Sequence, residues 1–353
     1  MHKLLERWSA IIPLLRLSLL AIALVTLAGC GGPQQGSSGQ GATREESSAP
    51  AAEPAEAQPL EEEPAGEVVE IGGGPEGIVA DPETGLVAVG LREPNQLALV
   101  DGDSAQVVRT VELPASPRHL GLAGPGGPVL VPVERADALV QVALPGGEIL
   151  SETPVGKFPH DAAASRDGRI FVANEFDDTL SILEGDERLE TVEAPRQPGG
   201  VAVTESGLVG VIGVSALDLE VFDSKTLESL GRVEAGEGPT HLSAGPDDRF
   251  YVTDTRGDAV LIYKAGPEPE EIGRVPLAGR PYGIAVDAGR GHLWVTLTAE
   301  NELVQFDLEG DTLCELARYP TVSEPNTVAV DTSSGRVFVA GKAGGELQIL
   351  DPR

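Results

Sequence analysis

Arg280-Pro281-Tyr282-Gly283-Ile284-Ala285-Val286-Asp287 is the phrase that decides how this chain reads. Nearly the same phrase stands at Gly74-Pro75-Glu76-Gly77-Ile78-Val79-Ala80-Asp81, and Pro117, Pro159, Pro198, Pro239 and Pro325 open looser copies. The seven prolines follow one another at intervals of 42, 42, 39, 41, 42 and 44 residues. A period of that length, filled with short alternating apolar runs, predicts a propeller of four-stranded blades. One such sheet cannot bury both of its faces until neighbouring repeats stack on it.

The sixth unit shows the pattern best. Its apolar runs are Gly283–Asp287, Leu293–Leu297, Glu302–Phe306 and Leu313–Tyr319, with Gly, Asp and Asn in the breaks between them. Helices need about 10–12 residues, so runs this short suit strands, and the turn residues punctuate them as hairpins. The seventh unit ends after its third strand, Glu346–Leu350, while an unpaired apolar run, Val68-Val69-Glu70-Ile71, precedes the first proline. A ring must join its first and last blades, and pairing removes aggregation-prone edges. The expectation is therefore an all-β, seven-bladed propeller over 67–353, with Glu67–Ile71 as the outer strand of the last blade.

The phrase Pro-x-Gly-Ile-Ala-Val-Asp is followed in the repeats by runs such as Ile170-Phe171-Val172-Ala173-Asn174 and Phe250-Tyr251-Val252-Thr253-Asp254. Leu293-Trp294-Val295-Thr296 and Val337-Phe338-Val339-Ala340 are further copies. Together these resemble the bacterial YVTN and NHL-type propeller repeats over about four-fifths of the chain. The resemblance implies a seven-bladed propeller and leaves activity open, since propellers host unrelated functions.

The N-terminal residues form a separate module. Lys3, Arg7 and Arg16 precede an apolar stretch from Leu17 to Ala28, and the stretch ends in Leu27-Ala28-Gly29-Cys30. A basic start, a short apolar core and small residues predict a secretory signal over 1–29. The tetrapeptide resembles a bacterial lipobox. That resemblance implies cleavage before Cys30, diacylation of its thiol, and an extracytoplasmic protein held to a membrane by lipid. From 31 to 66 the chain is mostly Gly, Ser, Gln, Ala, Pro and Glu, with Leu60 its one large apolar residue. Such a composition reads as a flexible tether reaching roughly 30–35 Å.

Formal net charge is −31; residues 1–29 hold three Lys/Arg and one Glu, so cleavage takes it to −33. That sign opposes nucleic acid and anionic lipid surfaces, leaving the acyl chain as the expected membrane contact. With Cys30 acylated, Cys314 has no cysteine to pair with. No Cys-x-x-Cys-His, Walker or Gly-x-Ser-x-Gly motif is present, which counts against haem attachment, nucleotide hydrolysis and esterase chemistry of the common kinds.

In a propeller the innermost strand of each blade lines the channel, so the residues after each repeat proline should ring its mouth. Around that ring stand Arg118, His119, His160, Asp161, His241, Tyr282 and Asn326, the candidate ligand-binding residues. Imidazoles, a carboxylate, a guanidinium and a phenol converging on one mouth suit a binding or acid–base site. His292, the remaining histidine past Cys30, reads as an exposed turn residue. Loop residues including Glu175, Asp254, Arg256 and Asn301 reach the same face, where Asp and Asn hold turns.

The expected role is a binding or scaffolding module, monomeric, for a protein or small ligand at the channel mouth. No cofactor or metal is specified. Resemblance of blade six to propeller lactonases and streptogramin-type lyases, which use His and Glu beside a divalent ion, implies the enzyme alternative. No such His/Glu set maps onto this chain. An accessory role in an extracytoplasmic redox system is the second alternative.

Overall fold

Side chains in a strand alternate between two faces, and here each face meets a different neighbour. In Arg249–Asp254 of blade five, Phe250 and Val252 pack with blade four, whereas Tyr251 packs with blade six. The same alternation around the chain yields seven apolar clusters, one for each pair of adjacent blades, including one between blades seven and one. The computed structural model describes residues 50–308, 310 and 312–352. The expected signal peptide (1–29), the Cys30 expected to be acylated and the expected tether as far as residue 49 lie outside the described residues.

The strands form seven antiparallel four-stranded sheets. Blade six comprises Pro281–Asp287, His292–Leu297, Glu302–Asp307 and Cys314–Pro320, within two residues of the runs read from sequence. His292 departs from its expectation. It opens the second strand, half-buried, where it accepts a hydrogen bond from Gln305 Nε2 at 3.2 Å and meets the edge of Trp294. Cys314 is free and exposed at the start of the outer strand. Outer strands such as Glu187–Glu193 are charged and exposed, since nothing stacks beyond them.

Closure follows the sequence expectation. Glu67–Glu70 pairs with Glu346–Leu350, with Glu67 opposite Ile349 and Val69 opposite Leu347. Ile71, just past the strand, is buried with Val87, Phe338 and Leu347 in the cluster between blades one and seven. Gly66 turns the chain into this strand with φ of +80°, and a Cβ there would lie 2.2 Å from the Ile349 carbonyl oxygen.

Deleting residues 67–71 should lower the melting temperature by about 5 °C or more, as apolar burial at the closing seam is lost. It should also promote aggregation through the bared edge of Glu346–Leu350. Gly66→Ala should destabilise in the same direction, because an L side chain is strained at that φ and meets a carbonyl. Calorimetry on both variants checks this, and a deletion melting with the parent would mean that the ring closes without the strand.

Candidate functional site

A β-bulge after the repeat proline builds the site. The inner strands of blades one and three to seven all slip register there, as between Pro159 and Asp161 or Pro281 and Ile284. A bulge inserts one extra residue and re-aims its neighbours. Successive side chains consequently reach successive layers of the channel. Arg118, His160, Gly199, Thr240 and Tyr282, each the first residue after its proline, line the mouth together with Glu175. The second residues, including His119, Asp161, His241, Gly283 and Thr327, line a separate cavity deeper in the channel, as does Asn326. His160 and Asp161, adjacent in sequence, thus face different spaces. Glycine keeps the second position where a neighbour presses in: a Cβ on Gly77 would lie 2.3 Å from the Arg118 carbonyl oxygen.

Blade two is the irregular member. Its inner strand is only Gly121–Leu122, with Pro117 bridging Val133 ahead of it. The freed backbone leans on the next blade, where His119 N donates to the His160 carbonyl at 3.1 Å. Side chains close the gap on the other side. Arg118 pairs with Glu76 and Glu134 at 2.9 Å each, and Arg92 pairs with Glu134 at 2.9 Å and Glu76 at 3.6 Å. Burial pushes the Glu134 carboxyl up against the pull of Arg118. Burial also weighs against the charge of Arg118, but Glu76 and Glu134 outweigh it and raise its pKa. The cage is two cations and two anions, neutral as a set.

The three histidines gather in a row. His119 stacks on His160 with ring centroids 4.9 Å apart, sits 4.2 Å from His241, and His241 meets Tyr282 edge-on at 4.5 Å. Their partners fix the tautomers. Arg118 Nη2 can only donate, so His160 Nε2 accepts from it and the His160 proton is on Nδ1. His241 Nδ1 donates to the Tyr282 carbonyl at 3.0 Å. Its Nε2 therefore accepts from His119 Nε2 at 3.1 Å, which leaves His119 Nδ1 as a lone pair. Burial and the neighbouring rings hold His119 well below the usual imidazole range, burial and Arg118 do the same for His160, and burial brings His241 down to about 4. All three are neutral at pH 7.

Among the described residues no cation stands beside Asp161. Its Oδ1 accepts from Ala162 N at 2.8 Å and its Oδ2 from Val201 N at 3.0 Å. It is half-buried, with the deep cavity on its open side. Burial pushes its carboxyl up to about 7, against those two amide donors. Tyr282, buried at the mouth, is raised by burial as well.

The segment expected to be a tether covers this mouth from Pro50 onward. Arg256 Nη1 donates to the Pro50 carbonyl at 2.7 Å, Ala55 N to Thr298 Oγ1 at 3.0 Å, and Asn301 Nδ2 to the Gln58 carbonyl at 2.9 Å. Farther on, Ala65 N donates to the Pro320 carbonyl and its own carbonyl accepts from Gln348 Nε2. Ala51, Ala52 and Glu53 stand over Arg118, His160 and Tyr282, with Ala52 only 8% exposed. The space left between them is about 20 Å³. Residues 50–66 are therefore a strap laid on the propeller. Their attachment is made by backbone groups, not by large apolar side chains.

The structure brings all seven candidate residues to the channel: Arg118, His160 and Tyr282 line the mouth, His119, Asp161 and Asn326 the deeper cavity, and His241 both. Sequence reasoning missed Glu134 and Arg92, which sit outside the repeat phrase and carry no signal of their own, and it missed the strap. Asp254 makes the turn expected of it, accepting from Gly238 N at 2.7 Å and Gly257 N at 3.0 Å. Among the described residues, no three His, Cys, Asp or Glu side chains gather in a geometry that could hold a metal ion.

No protein-family model and no curated protein matches this chain. Solved structures do. Hydrazine synthase of Kuenenia stuttgartiensis is similar with a TM-score of 0.71 and 16% identity, over 80% of this chain and 97% of that one. A streptogramin B lyase is similar with a TM-score of 0.69 and 17% identity, over 81% and 96%. A catalytically inactive virginiamycin B lyase from Staphylococcus aureus, solved with quinupristin, gives 0.68 and 18%, over 81% and 99%. At these identities the likeness establishes the seven-bladed propeller and nothing narrower.

Two predictions follow from the buried groups. His119→Ala removes the donor to His241 Nε2 and both stacking contacts, so it should cost about 1–3 kcal/mol in thermal or urea unfolding. Unchanged stability would mean that the imidazoles do not plug the channel. Asp161 sets a pH dependence. Its folded pKa of about 7 exceeds the ordinary 3.8, so its contribution to stability is complete below about 4 and lost as pH rises through 7. The imidazoles run oppositely: His241, ordinarily 6.5 and here about 4, contributes above 6.5 and loses that as pH falls through 4. Asp161→Asn should therefore gain on the parent protein as pH is raised from about 5 to about 8. Melting curves at several pH values test it, and a constant difference between the two proteins would refute it.

Proposed function

We propose that this protein is a lipid-anchored, extracytoplasmic propeller that works as a binding module, holding an extended peptide segment across its channel mouth. The seating of residues 50–58 carries this reading. Ala52 fills the mouth between Tyr282 and His160, while Arg256, Thr298 and Asn301 take hold of backbone groups on either side. Contacts to backbone recognise extended shape, and the shallow space over Ala52 selects small side chains. A partner segment rich in Ala and Pro would fit the same groove. The Cys30 lipobox and the basic, apolar leader support the anchor and the extracytoplasmic location.

The groups at the mouth are better suited to binding than to lyase chemistry assisted by a metal. Glu76 and Glu134 are committed to Arg92 and Arg118, His160 Nε2 accepts from Arg118, and His119 and His241 bond each other. The strap occupies its own site at an effective concentration on the order of millimolar, so a partner must bind more tightly than that to displace it.

A labelled peptide spanning residues 50–60 should bind a variant lacking 50–58 saturably, and at least about tenfold more weakly to the intact chain, where the strap competes. Arg256→Ala and Asn301→Ala in the shortened variant should each weaken it about fivefold or more. Fluorescence polarisation reads all of these. A shortened protein that folds and ignores the peptide would overturn the reading.

A further inference from the structure

Behind the imidazole row the channel holds a cavity of about 160 Å³ that the strap does not line. Its two ends differ in chemistry. At the polar end stand Asp161, His119, His241, Asn326 and Thr327. At the other end the third residue after every repeat proline forms a collar of Ile, Leu, Ala or Val.

Apart from the Thr327 hydroxyl, the uncommitted polar atoms of this end are acceptors. An ionised carboxylate offers about four lone-pair sites, and Asp161 uses two, on Ala162 N and Val201 N. His119 Nδ1 is a lone pair once His119 Nε2 donates to His241. Asn326 is 2% exposed and its Oδ1 has no hydrogen-bond partner; its Nδ2 reaches the Pro75 carbonyl at 3.5 Å. A buried amide oxygen without a donor is costly, and so is a carboxylate without a cation. Arg118 cannot serve, because Glu76 and Glu134 hold it at the mouth.

We propose that this cavity is a binding site for a small primary alkylammonium ion. Its ammonium head donates to Asp161 and to the free acceptors of the polar end, and its aliphatic tail lies in the collar. An ammonium supplies three donors and the missing positive charge at once. At a water's share of about 30 Å³ per heavy atom, the cavity takes about five, the size of butylammonium. The mouth is capped, so access is from the opposite face, where Ala164, Val203, Val286 and Val330 farther along the inner strands are half-buried rather than buried.

The test is isothermal titration of the intact protein with n-butylammonium chloride near pH 8. Sodium chloride at about 0.3 M screens the acidic surface, which would otherwise attract any cation. One saturable site is expected, with Kd near 1 mM or tighter for a ligand of this size. Butanol and butyrate, which keep the tail and lack the cationic head, should bind at least about tenfold more weakly, as should ammonium chloride, which lacks the tail. Asp161→Asn, checked for folding by its melting curve, should lose about tenfold or more, and Asn326→Ala severalfold. Deleting 50–58 should leave the affinity unchanged, which separates this site from the peptide site at the mouth. Butanol binding as tightly as butylammonium, an unchanged Asp161→Asn, or no saturable heat up to about 20 mM would each overturn the proposal. If the Asn variant does not fold, the comparison of the three control ligands in the parent protein decides.

Discussion

Val69 and Leu347 face each other across a ladder whose two strands come from opposite ends of the repeat array. The channel exists because this ladder exists. Without it the last sheet has three strands, the cluster joining Val87 and Val89 to Phe338 and Leu347 loses Ile71, and blades one and seven are free to part. Every feature of the site depends on inner strands held at fixed distances around an axis. A side chain can cross the channel to its opposite number, as His119 does to His241, only if the ring has one circumference.

Around that ring, blade two is where regular pairing gives out, and it is where the charged cage sits. Glu76 and Arg92 come from blade one, Arg118 and Glu134 from blade two, so two of the four ion pairs, Arg92–Glu134 and Arg118–Glu76, bridge the interface and the other two tie each blade's own charges together. The two-residue inner strand of blade two cannot supply the usual ladder there. The cage and the bond from His119 N to the His160 carbonyl stand in for it. Breaking a buried pair by removing one partner costs about 3–5 kcal/mol, since the other charge is left uncompensated. The cage is therefore structural before it is functional, and its charges are not available to a ligand. That explains how a mouth so rich in ionisable groups carries little free charge.

What could be read in the sequence was what repeats. The proline period placed the blades, and alternation within each run placed the strands of blade six within two residues. The absent fourth strand of the last unit located the closure. The channel residues were legible for the same reason, since departures from glycine in a repeated phrase stand out. Their sorting into two layers was not, because it depends on a bulge whose register slip leaves no mark in one sequence. Glu134 escaped notice because its role comes from a short 3-10 turn, Glu134–Ala136, peculiar to blade two. His292 looked like a turn residue because a strand boundary can move by one position without altering composition, and one position was enough to half-bury it.

The strap was illegible for a different reason. Composition predicts disorder by asking whether a segment can bury enough apolar surface to offset its ordering entropy. Residues 50–58 contain no such surface, yet two terms in that balance are altered. Pro50, Pro54 and Pro59 hold the chain near extended conformations already, so less entropy is lost on docking. The attraction comes from the receiving surface, where Arg256, Thr298 and Asn301 present side-chain groups to backbone amides and carbonyls. Any extended segment offers those backbone groups, so the specificity of the mouth resides in what fits beneath them. Ala52 fits there because it is small, and the neutral cage and paired imidazoles below it ask for no charge. The side chains that hold the strap lie in the loops of blades five and six, and the strap itself contributes almost only backbone.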